Sequence, residues 1–81
     1  MISPPQVRAA RGLVGWSQME LADKADVAVM AIKRLESGAV ATRNRTLLAI
    51  EAAFSEAGVI FLPPADGRGE GVCLNVSTSD T

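Results

Sequence analysis

Histidine and tyrosine are missing from this 81-residue chain, cysteine occurs once, and two phenylalanines and one tryptophan are its only aromatic residues. Each shortage removes a class of chemistry. With no imidazole and a single thiol, the chain lacks the soft ligands of a structural zinc site and the usual acid–base catalyst. No phosphate-cradling glycine loop follows a strand-like run, and no carboxylate pair falls in a pocket-like pattern. The chain is therefore not expected to be an enzyme or to need a cofactor or metal. Cys73 has no second cysteine for an internal disulfide and reads as a small packing residue. Hydrophobic residues make up 48% of the chain, but they come in short segments, none near the ~18 residues that span a bilayer. No basic stretch with a long apolar run opens the sequence, so no membrane contact is expected and the protein reads as cytoplasmic.

What is present is helical punctuation. Ser17 and Glu20, three apart, form a capping box that opens a helix over 17–25, with Leu21, Ala22 and Ala25 on its apolar side. Asp26 closes it, because aspartate tolerates the left-handed conformation better than most side chains. After Val27 the spacing resumes through Ala28, Ala31, Ile32 and Leu35, in a helix over 28–37 stopped by Gly38. So short a connection forces the two helices to cross steeply. Ser3, Pro4 and Gln6 start an earlier helix over 4–14, carrying Val7, Ala10, Leu13 and Val14. Thr42 or Asn44 is the expected cap of a later helix over 45–57, carrying Leu47, Ile50, Phe54 and Ala57.

Beyond Gly58 the period becomes that of strands. Val59 to Leu62 form an apolar run, and Val72, Leu74 and Val76 alternate with Cys73, Asn75 and Ser77. The ADGRGEG segment between them is rich in turn residues but too long to fix a register. Residues 1–58 thus read as one four-helix domain, 59–76 as a two-stranded extension and 77–81 as a polar, mobile tail. Charge is unevenly divided: residues 1–45 carry seven basic and four acidic side chains, for +3, and residues 46–81 one and five, for −4. Phosphate contact needs such local positive charge, although a solvated charged face gives the same count.

In this register Trp16, Ser17, Gln18, Leu21, Ala22, Ala25, Val27, Ile32, Glu36 and Gly38 resemble the Cro/repressor-type (Xre) helix-turn-helix transcriptional regulators, over roughly Ser3 to Gly58. The resemblance implies a mainly α fold: a four-helix, lambda-repressor-like DNA-binding domain, here followed by a short C-terminal β-hairpin. It implies that helix 28–37 enters the major groove of double-stranded DNA, that helix 17–25 lies across the backbone, and that the protein works as a homodimer on a two-fold symmetric site. It further implies a phosphate grip by Gln18, phosphate contact by Arg43 or Arg45 with the choice between them open, and a partly buried ion pair of Arg11 with Glu36 as scaffold. The chain departs from the family pattern on the recognition helix. Ala28 stands where relatives often place serine or threonine, and the exposed positions nearest the bases are expected to be Val29 and Met30 rather than amide or guanidinium side chains. Apolar contact with thymine methyls remains, with Lys33 and Arg34 one turn on, where Arg34 can bond a guanine edge through two donors.

Two functional readings stand side by side. One is a homodimeric, sequence-specific repressor, with Val59, Ile60, Phe61 and Leu62 either as the dimer contact or as cover for their own helical domain. The other is a protein-interaction or antitoxin-like module on the same fold, with weak or no specific DNA binding, that docks a toxin or another protein. Two adjacent apolar residues at a helix tip suit a protein interface as well as a groove. No small-molecule ligand is expected, since too few residues follow Gly58 to build a sensing pocket.

Overall fold

The computed structural model describes residues 2–38 and 41–75. They form four helices, α1 (Pro4–Val14), α2 (Gln18–Ala25), α3 (Val29–Ser37) and α4 (Asn44–Glu56), followed by strands β1 (Val59–Leu62) and β2 (Gly71–Leu74). Val76, expected in the second strand, and the tail 77–81, expected to be mobile, lie outside the described residues.

Local chemistry accounts for the first two helix starts. Ser3 Oγ accepts the Gln6 amide at 3.3 Å while Gln6 Oε1 accepts the Ser3 amide at 3.0 Å, and Pro4 and Pro5 fill first-turn positions that need no donor. Ser17 and Glu20 exchange the same pair of bonds at 3.0 and 2.8 Å. Asp26, with φ +57°, is the only non-glycine with positive φ among the described residues, and this left-handed residue turns the chain from α2 into α3. The two later helices start without a side-chain cap. Their N-cap residues are Ala28 and Arg43. The expected capping of α4 by Thr42 or Asn44 is thus corrected: the extended residue is Arg43, whose side chain has no acceptor, and Asn44 is already helical.

Val7, Leu21, Ile32, Ile50 and Phe54 are fully buried at the centre. All three aromatic residues join in one chain of rings. Trp16 stacks on Phe54 with centroids 5.3 Å apart and planes at 14°, and Phe54 meets Phe61 edge-on at 5.8 Å. Such pairs add about 0.5–1.5 kcal/mol each beyond simple burial. They connect the start of α2, through α4, to β1.

The hairpin is antiparallel, pairing Val59 with Leu74, Ile60 with Cys73, Phe61 with Val72 and Leu62 with Gly71. Its register is set by a tight turn nested in the long connection. Ala65 and Arg68 exchange both backbone bonds, at 3.1 and 3.0 Å, around Gly67 at φ +78°. Because strand side chains alternate, Val59, Phe61 and Val72 pack toward the helices. The expectation that Val59 to Leu62 form one dimer surface is corrected accordingly: Val59 is buried, Phe61 and Leu62 are half-buried, and Ile60 alone of the four is exposed, at 42%.

A polar link completes the seat. Gln6, buried in α1, donates through Nε2 to the carbonyls of Leu62 at 3.2 Å and Gly71 at 2.9 Å, a pair that face each other across the sheet. Ser3 Oγ also donates to the Glu70 carboxylate. With Oε1 on the Ser3 amide, every polar atom of Gln6 is satisfied. Gln6→Ala is expected to cost about 1–3 kcal/mol and to accelerate amide exchange in β1 and β2 more than in α2 and α3. Unchanged protection of the hairpin amides in hydrogen-exchange measurements would show that Gln6 does not hold it.

Candidate nucleic-acid interface

The orientation of α3 depends on its last turn. Glu36 is almost fully buried, and its carboxylate receives Arg11 through two bonds, Nε to Oε2 at 2.6 Å and Nη2 to Oε1 at 2.8 Å. Gln18 Nε2 adds a third donor to Oε1 at 3.0 Å. Arg11 also donates through Nη1 to the Trp16 carbonyl at 3.0 Å, and Arg8 donates to the Glu36 carbonyl. One acidic residue thereby joins α1, the start of α2 and the end of α3. Burial pushes the Glu36 carboxyl up, but the bonds from Arg11 and Gln18 and the charges of Arg11 and Arg8 outweigh it and hold the group below its usual range. The bond to Glu36 raises Arg11 in turn, against a smaller opposing effect of burial.

With its end anchored, α3 turns one side to solvent. Met30, Lys33, Arg34 and Ser37 are exposed at spacings of three and four, which aligns them on one face. Ser37 Oγ donates back to the Arg34 carbonyl at 2.9 Å. Val29 corrects the sequence reading of two adjacent exposed apolar residues: it is half-buried and packs against the core, whereas Met30 is 51% exposed. One hundred degrees of helical rotation separate neighbours, so both cannot share a narrow face. Ala28, just ahead, is exposed.

Beside this face lies an open cleft of about 300 Å³, lined by Ala31 and Arg34 of α3 and by Ala41, Thr42, Arg43 and Thr46 at the start of α4. Arg34 and Arg43, from different elements, thus reach one cleft, and Arg45 is exposed in the first turn of α4. Gln18 stands apart from them, half-buried with its amide nitrogen on Glu36. Sequence reasoning passed over Arg8, whose partner is a backbone carbonyl. It also missed Lys24, whose Nζ lies 5.1 Å from the centroid of the Trp16 ring. Arg8 stands one helical turn from Arg11, whereas nothing in the sequence points from Lys24 to Trp16, which lies ahead of α2.

Two short packed helices joined by a tight turn at the left-handed Asp26, the second presenting a partly basic face, define a helix-turn-helix DNA-binding domain. The helix-turn-helix family model matches residues 7–56, and the chain belongs to this family, with the Cro/repressor-type (Xre) regulators. It is a DNA-binding domain of the regulatory kind. No curated protein matches the chain. Among the described residues no helix is long and apolar enough to cross a membrane.

A carboxyl held below its usual range stabilises the fold only while ionised. The contribution of Glu36 is complete above the pKa of an unfolded glutamate, about 4.3, and is lost as pH falls from there through the depressed folded value. Glu36→Gln is expected to cost about 1.5–3 kcal/mol at pH 7. In urea titrations the gap to wild type should close as pH drops below about 4.3; a gap constant from pH 7 to pH 3 would contradict this role.

Proposed function

We propose that this protein is a sequence-specific transcriptional repressor that binds double-stranded DNA as a homodimer, with α3 in the major groove. The observation that carries this reading is the face of Met30, Lys33 and Arg34 set beside the cleft where Arg34 meets Arg43. Lys33 and Arg34 supply positive charge toward the groove, and Arg43 or Arg45 contacts the flanking phosphate. Gln18, half-buried at the start of α2, completes the backbone contacts, exchanging its bond to Glu36 for one to phosphate. Val29 has no base contact in this scheme. For the dimer, Ile60, exposed at 42% on the sheet face opposite to Val59 and Phe61, is the apolar residue of the first strand left for a second copy. Repression follows from occupancy of a site that polymerase needs, with control exerted through concentration and assembly and without a cofactor.

One observation favours the second reading, an antitoxin-like or other protein-docking module. Met19 and Met30 are exposed at 63% and 51%, and methionine adapts readily to irregular protein surfaces.

Selection from random duplexes at roughly 50 mM salt separates the two. The repressor reading expects a two-fold symmetric motif with half-sites about one turn apart. Arg34→Ala should then relax one position of that motif, at a cost of about 1–3 kcal/mol, while Gln18→Ala should weaken all sequences alike. A folded protein that enriches no motif would favour protein docking. Enrichment with Arg34→Ala unchanged in affinity and preference would remove Arg34 from base reading.

A further inference from the structure

We infer that this protein recognises pyrimidine C5-methyl groups in the major groove through Met30. The inference rests on the proposed insertion of α3 and assigns the chemistry of its first turn. Ala28 offers a methyl group and no hydrogen-bonding side chain, Val29 is turned into the core, and Met30 is the exposed first-turn side chain. The polar groups on the same face, Lys33 and Arg34, come a turn later. No side-chain amide, hydroxyl or guanidinium stands at the tip of the helix, so the hydrogen-bonding edges of the bases nearest that tip have no side-chain partner there. Among the four bases only thymine presents an apolar group in the major groove, its C5-methyl. An unbranched thioether chain, flexible and polarizable, can cover that methyl at little conformational cost. Arg34, about one turn or 5.4 Å further along the axis, would read a neighbouring guanine. The expected half-site element is therefore a thymine-containing step close to a guanine, with the thymine recognised by its methyl alone.

The test uses the whole protein and the duplex enriched by selection. Each thymine is replaced in turn by deoxyuridine, which removes the methyl and keeps every hydrogen-bonding group, and affinity is read by fluorescence anisotropy. Removing one buried methyl is expected to weaken binding about fourfold, and removing the symmetric pair about fifteenfold. In Met30→Ala, verified as folded by circular dichroism, that loss should shrink toward onefold, and 5-methylcytosine at the same position should bind wild type better than cytosine does. Salt-sensitive, sequence-specific binding with no deoxyuridine penalty at any position would overturn the inference and leave the DNA-binding reading standing. So would a penalty of equal size in wild type and Met30→Ala. Failure to enrich any duplex would overturn the DNA-binding reading itself, and this inference with it.

Discussion

The placement of α3 depends on the burial of one negative charge. Glu36 sits in the last turn of a nine-residue helix, where an acidic side chain opposes the helix dipole, and the helix begins at Ala28 without a side-chain cap. On local grounds α3 is uncapped at its start, and in its last turn Glu36 offsets the favourable charge of Arg34. Its stability has to come from outside, and Arg11 supplies it with a two-pronged bond that holds only when the guanidinium and carboxylate planes align. Removing either partner would leave the other charged and poorly solvated. The ion pair is therefore as much a constraint on angle as a source of stability, and the angle sets how far the exposed side of α3 projects from the domain.

Trp16 connects this polar anchor to the rest of the molecule. Its carbonyl accepts from Arg11, its ring stacks on Phe54 and Lys24 approaches its centroid, while Phe54 in turn meets Phe61 of β1. A hairpin of two four-residue strands is marginal in water by itself. Here it is held on one side by the aromatic contact and at its loop end by Gln6, which donates to a carbonyl of each strand. The hairpin and the helix-turn-helix thus share a single packed core, with Phe54 common to both.

Where a local rule decides the outcome, the sequence was readable. Ser3 with Gln6, Ser17 with Glu20, Asp26 and Gly38 each act through bonds or dihedrals confined to one turn, and the helix periods around them mark most of the buried face, although Leu13 and Ala57, expected on it, are exposed. The start of α4 was less readable, since Thr42 and Asn44 are both good caps by residue type, yet the extended residue is Arg43 and Asn44 is already helical. The hairpin register was hidden because Ala65–Arg68 forms a turn inside a longer connection. Val29 and Gln6 show the deeper limit. Whether a valine at a helix tip faces in or out, and whether a glutamine in a first turn is solvated or buried, depends on elements distant in the sequence, Gln6 meeting residues 56 and 65 positions away.

An apolar tip on the recognition helix also constrains how specificity can arise. A bidentate contact discriminates by about 1–3 kcal/mol, whereas a covered methyl contributes about 0.8 kcal/mol, so a face with one arginine and one methionine is a modest reader in a single copy. The phosphate contacts that add affinity carry no sequence information. Two-fold repetition is the simple remedy, because a second copy doubles the discriminating energy along with the binding energy and so squares the preference for the right site. The net charge of −1 acts in the same direction: with few surplus cations, nonspecific binding is weak, and the modest energy of Arg34 and Met30 is measured against a low background. On the proposed function, assembly is thus a condition of selectivity. A monomer with this recognition face would touch DNA without choosing well among sequences.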